Sequence, residues 1–169
     1  MSAAPDPAVH AMQSLFQTSQ VWVHSFAQWL ASQQATLAPA AATSARQSET
    51  LNRLRQELTD RHAQLWQAQL ERQPGRPAPA VALPDPGDRR FAAPEWAESP
   101  VYDYLRQAYL LNAEFLGRLV EALPLPDAHA QGRLRFITRQ FVDALAPSNF
   151  AATNPEFIQT ALATQGQSI

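Results

Sequence analysis

Five of the chain's 14 prolines, Pro74, Pro77, Pro79, Pro84 and Pro86, fall in one run from Gln73 to Gly87, and no other feature restricts folding so sharply. Proline offers no amide proton and biases the residue before it away from helical geometry, so no helix crosses this run. An extended, semi-rigid linker is predicted over residues 73–87. It divides the chain into an arm, residues 1–72, and a second unit, residues 88–169. The arm is expected to move independently, unless the aromatic face of its first helix docks back on the second half.

In the arm, Val9, Met12, Leu15, Phe16, Trp22, Val23, Phe26, Trp29 and Leu30 recur at three- and four-residue spacings. That period places them on one helical face. The opposite face is mostly Gln, Ser and Ala, and no Asp, Glu, Lys or Arg occurs between Asp6 and Arg46. Residues 37–44, rich in Ala and containing Pro39, interrupt the pattern. A second periodic stretch follows with Leu51, Leu54, Leu58, His62, Leu65 and Trp66. Its polar face carries Glu57 and Arg61 at a spacing that favours an intrahelical pair worth about 0.2–0.5 kcal/mol.

Beyond the linker, Ser99 before Pro100 forms a start signal, with proline at the first helical position, where its missing donor costs nothing. The helix it opens carries Val101, Tyr104, Leu105, Ala108, Leu111, Phe115, Leu116, Leu119 and Val120 and stops at Pro124. Asp127 is placed to cap the next, in which Leu134, Ile137, Phe141 and Leu145 repeat until Pro147. A last short helix is expected with Asn154 as cap and Pro155 at its first position. Alternating β-branched runs bounded by turn signals do not occur. The fold class is therefore all-α: an amphipathic helical arm, a proline-rich linker and a compact domain of about three helices.

Composition removes several functions. A hydrophobic content of 46% supports a core. The formal net charge of −2, without a basic run, argues against nucleic acid. All 13 basic residues are arginine, from which nothing functional follows. With no cysteine there is no disulfide, thiolate nucleophile or cysteine metal site. Neither a secretory leader nor a membrane-length apolar run is found, so a cytoplasmic protein is expected.

No set of residues reads as an active site. The available bases are His10, His24, His62 and His129, and no Gly-x-Ser-x-Gly or Gly-x-Cys-x-Gly elbow or glycine-rich phosphate loop accompanies them. His10 and His24 sit about 21 Å apart by helical rise, too far to share a metal. No metal and no cofactor is expected. Phe16, Trp22, Phe26, Trp29 and Leu30 stand out instead: aromatics at helical spacing either pack inside the molecule or meet a partner or polymer surface. Arg89 and Arg90, beside Phe91, are placed to pair with acids elsewhere and fasten the linker end to the helical body.

The segments Asp88-Arg89-Arg90-Phe91, Pro94-Glu95-Trp96, Pro100-Val101-Tyr102-Asp103-Tyr104-Leu105 and Tyr109-Leu110-Leu111 come in an order and spacing that resembles the N-terminal domain of class I polyhydroxyalkanoate synthases. The likeness continues through Arg135-Phe136-Ile137-Thr138-Arg139-Gln140-Phe141-Val142-Asp143-Ala144, Ala146-Pro147-Ser148-Asn149-Phe150 and Thr153-Asn154-Pro155-Glu156. It covers residues 88–169. Residues 1–87 resemble the family only as a variable helical arm. The motif residues singled out as structural are Arg90, Phe91, Trp96, Tyr104, Asn149, Phe150, Asn154 and Pro155.

The resemblance implies that the whole enzyme polymerises 3-hydroxyacyl groups from coenzyme A thioesters into a storage polyester. It also implies a following α/β-hydrolase-like domain with a cysteine nucleophile, an aspartate and a histidine. For this chain it implies no catalysis but support: stabilising the active dimer, attaching to the granule surface and meeting granule-associated proteins. The implied partners are the catalytic domain, a second synthase protomer, and granule proteins or the polyester itself. Two other readings stand beside it, a free-standing granule coat or adaptor of phasin-like role, and an enzyme using His129 with neighbouring acids.

Overall fold

A computed structural model describes Gln28 and residues 45–73, 76, 78–125, 127–151 and 153–163. Among these residues every regular element is helical and there is no strand, as the all-α expectation has it. The α-helices are α1 (Ala45–Leu70), α2 (Glu95–Glu98), α3 (Pro100–Ala122), α4 (Ala128–Ala144) and α5 (Pro155–Ala163), with 3-10 turns at Arg89–Phe91 and Pro147–Asn149. No helix among the described residues is long and apolar enough to cross a membrane.

The predicted boundaries are set by the expected residues. Ser99 is extended, Pro100 takes the first position of α3, and Ser99 acts through its backbone, its carbonyl accepting from the Asp103 amide at 2.9 Å. The Asp127 carboxylate accepts from the Ala130 amide at 2.7 Å and so occupies one of the orphan donors at the start of α4. The four-residue α2 carries no sequence period of its own. Pro94 stands at its N-cap, and the helix carries Trp96 into the core, where the indole is 1% exposed.

Helix α3 is the spine, with α1 packed along one side, α4 along another and α2 across its start. Near its C-terminal end Phe115, Leu116, Leu119 and Val120 meet Leu54 of α1 and Leu134 of α4. Near its middle Tyr104, Ala108 and Leu111 enclose Leu65 of α1 and Ala82. At the third contact Tyr109 meets Phe91, Trp96 and Ala146. Each large apolar side chain removed from water here contributes about 1.5–3 kcal/mol before ordering costs.

Three expectations are corrected. First, α1 is not a freely moving arm. Its Leu54 and Leu65 sit in the core, and the proline-rich run beyond it is strapped to α3, with Ala78 and Ala82 buried and the amides of Val81 and Ala82 donating to Gln107 Oε1 at 2.7 and 3.1 Å. Prolines exclude a helix there but leave the free amides of Val81 and Ala82 to find an acceptor. Second, Glu57 and Arg61 make their direct ion pairs with α3 and not with each other. Arg118 of α3 donates both NH groups to Glu57, and Arg61 donates to Glu114 of α3 and to the Val81 carbonyl. Third, the buried stripe of α4 runs through Ala130, Leu134 and Thr138, while Ile137 is exposed beside Phe136. A rotation of one position trades a methyl-rich side chain for a threonine at the interface.

Candidate functional site

Arg90, Phe91 and Trp96 are brought together at the end of the proline-rich run. The Asp88 carboxylate caps the 3-10 turn by accepting from the Arg90 amide at 3.1 Å, and accepts twice more from the Arg90 guanidinium at 2.9 Å. The remaining edge of that guanidinium donates to the Tyr109 hydroxyl at 3.0 Å and to Asp143 of α4 at 2.9 Å. The Tyr109 hydroxyl in turn donates a hydrogen bond to the Val142 carbonyl at 3.1 Å. Arg90 holds the Asp88 carboxyl below its ordinary range, while burial pushes the Tyr109 phenol up.

Below this fork Phe91 meets Trp96 edge-on at 5.0 Å and Tyr109 at 5.7 Å, and Trp96 meets Tyr102 at 5.6 Å. The guanidinium carbon stands 5.8 Å from the Phe91 ring and 5.6 Å from the Tyr109 ring, within cation–π range. The arrangement joins the linker end, α3 and α4 through one planar cation.

A second polar assembly, missed from the sequence, lies at the start of α3. Asp103 is buried, and its two oxygens accept from Arg106 at 2.7 Å, Gln107 at 3.1 Å, Gln69 at 2.8 Å and Arg72 at 3.3 Å. Arg72 also donates to the carbonyls of Ala97 and Glu98. One carboxylate thus ties the end of α1 to α2 and α3. Gln107, on the same face one turn on, is the residue that holds the strap. The available signal was the spacing Asp103, Gln107, Leu111, Phe115, which puts two polar groups on a face that continues as core.

Tyr104 belongs to neither assembly. It is fully buried against Leu65 and edge-on to Trp66 at 6.0 Å, and burial pushes its phenol up to about 12. Asn149 and Asn154 organise the last turn: Asn149 Nδ2 donates to the Asp143 carbonyl at 2.8 Å, closing the end of α4. Asn154 Oδ1 accepts from the amides of Glu156 and Phe157 at 3.0 and 3.3 Å, the expected cap of α5. Pro155 is buried, whereas Phe150 is exposed with Phe136, Ile137 and Phe157.

Phe16, Trp22, Phe26, Trp29 and Leu30 lie outside the described residues, as do His10 and His24. His129 is exposed on α4, and His62 is buried with its Nε2 3.0 Å from Asn112 Oδ1. Among the described residues no three of His, Cys, Asp or Glu gather as a metal site would need. Among the described residues an open groove of about 710 Å3 has Leu54, Ala113, Gly117, Val120, Ala122 and Val142 among its walls. Arg53, Arg118, Arg135 and Arg139 stand around it.

Residues 87–169 match the family described as Poly-beta-hydroxybutyrate polymerase (PhaC) N-terminus. A poly(3-hydroxyalkanoate) polymerase of Methylorubrum extorquens is 34% identical over 134 residues, 79% of this chain and 22% of that protein. The poly(3-hydroxyalkanoate) polymerase subunit PhaC of Cupriavidus necator is 39% identical and that of Rhizobium meliloti 31%, each over 105 residues, 62% of this chain and 17% of the relative. The chain therefore spans about a fifth of the length of these relatives. No solved structure matches it.

Proposed function

The chain belongs, through residues 87–169, to the family of poly-beta-hydroxybutyrate polymerase N-termini, and from that premise we propose that it is a supporting module of a polyester synthase rather than a catalyst. The whole enzyme would join 3-hydroxyacyl groups from coenzyme A thioesters into polyester. This part would stabilise the active dimer, attach the enzyme to the granule and receive granule-associated proteins in the cytoplasm. In this reading residues 88–169 are the synthase domain, residues 73–87 the proline-rich linker and residues 1–72 the helical arm, whose α1 packs on α3 and whose first stretch offers Phe16, Trp22, Phe26, Trp29 and Leu30 to a granule or partner surface.

The observation that carries the reading is how the polar groups of the family segment are used. Arg90 is shared among Asp88, Tyr109 and Asp143, and Asp103 among four donors. Groups committed to fastening helices hold a shape. A catalytic acid, base or nucleophile needs a face left toward substrate. Arg90, Phe91, Trp96, Tyr104, Asn149, Asn154 and Pro155 are accordingly assigned to shape, and Phe150 to the exposed surface.

The test adds this chain to the separately produced catalytic domain and follows polymerisation of a 3-hydroxyacyl coenzyme A thioester together with sedimentation. A rise in rate or in dimer content is expected. No change in either, with the chain still sedimenting with polyester granules, would replace the proposal by a coat or adaptor of phasin-like role.

A further inference from the structure

Helices α1 and α4 both pack on α3 but not to a comparable extent on each other. They leave between them the groove floored by Ala113 and Gly117 of α3, one turn apart. These are the positions at which α3 presents least side chain, and a Cβ added at Gly117 would meet nothing within 4 Å. Leu54 and Val120, core residues, also line this opening, so the groove runs into the largest apolar cluster. Two helices flanking a third, with small residues exposed between them, form three members of a four-helix arrangement, and a fourth helix would close it.

We propose that the groove is the seat of the chain's own residues 9–30, docked by the face that carries Phe16, Trp22, Phe26 and Trp29. Large side chains match a floor of small ones. Charge matches as well. Arg118 and Arg135 at the rim are already paired with Glu57 and Glu121, so an acidic occupant would have to compete for them, whereas residues 9–30 contain no charged side chain. Arg53 and Arg139, also on the rim, make no ion pair among the described residues, and their guanidinium planes suit the faces of Trp and Phe.

Reach does not limit the docking. The groove includes Thr50, Arg53 and Leu54, within the first turns of α1, and residues 31–44 precede that helix. Extended at about 3.3–3.6 Å per residue, they span roughly 46–50 Å, longer than the groove's walls require. The docking concerns this chain alone and does not depend on the synthase reading. If both hold, groove and granule compete for the same aromatic side chains.

The absence of native cysteine allows a single thiol at Gly117. The full-length Gly117→Cys protein, labelled with bimane, reports nearby tryptophan by contact quenching. Replacing Trp22 and Trp29 with Phe is expected to brighten the label severalfold, with helix content unchanged by circular dichroism. The same label at Gln140→Cys, on the far side of α4, should not change. An unchanged Gly117 label, equal brightening at position 140, or quenching lost on dilution would each overturn the proposal, the last by making a second copy the occupant.

Discussion

The guanidinium of Arg90 reaches Asp143 at 2.9 Å across 53 residues of sequence, so the end of the proline-rich run is locked to the last turn of α4. The same guanidinium holds Asp88 and Tyr109. Arg90→Lys keeps the charge but loses the planar fork, and a point charge cannot serve three acceptors in those directions. Because the site is about a third exposed, the expected loss is modest, about 1–2 kcal/mol. Urea unfolding of the purified variant measures it. Full stability in the lysine variant would show that charge alone, not the fork, holds the linker end.

Leu65 is completely buried between α1 and α3. Leu65→Ala removes its side chain from a site with little room to collapse, and such truncations cost about 2–5 kcal/mol. If α1 is part of one cooperative unit, the midpoint monitored at Trp96, in the third cluster, falls by the same amount as the midpoint monitored by helix content. Two separated transitions, with the Trp96 signal unmoved, would return α1 to the status of an independent arm.

Sequence periodicity gave α1, α3, α4 and α5, because each is amphipathic and bounded by cap or proline signals that act locally. What the periodicity did not give was the partner of each polar group. Glu57 and Arg61 satisfy the intrahelical rule and are used between helices instead, since α3 offers Arg118 and Glu114 at closer range. The strap at Val81 and Ala82 was equally hidden. Its acceptor, Gln107, lies 25 and 26 residues away, and nothing local marks a glutamine as a backbone acceptor. In the family motif, Arg90 stands beside Phe91 and an acid in sequence, whereas the partners of Asp103 include Gln69 and Arg72, more than 30 residues away, so nothing local marks it as a junction.

Asp103 is surrounded by two arginines and two glutamines with almost no exposure. Asp103→Asn keeps the size but leaves Arg72 and Arg106 as buried cations without a counter-ion, a change that costs about 3–5 kcal/mol when one partner of a buried pair is removed. The variant is expected to unfold at markedly lower urea than Arg90→Lys. Adding Arg106→Met should recover part of the loss, because one uncompensated charge goes with it. A double variant no better than the single would place the cost in the hydrogen bonds to Gln69 and Gln107 rather than in charge.

His62 supplies a pH dependence whose sign follows from its burial. Desolvation, the largest influence, holds its pKa below the ordinary histidine value, with the Asn112 hydrogen bond acting against it. The folded protein therefore keeps the ring neutral at a pH where the unfolded chain already binds a proton. Stability is full above the unfolded value, near 6.5, and declines as the pH falls from there toward the folded value. The lowered Asp88 carboxyl acts in the same direction but in a separate, more acidic window, below the ordinary carboxylate range. Unfolding free energies measured between pH 7.5 and 5 should thus fall for the natural chain (about 1.4 kcal/mol for each pH unit of the shift) and stay nearly level for His62→Gln, whose amide can still donate to Asn112. An equal decline in both proteins would assign the acid sensitivity to groups other than His62.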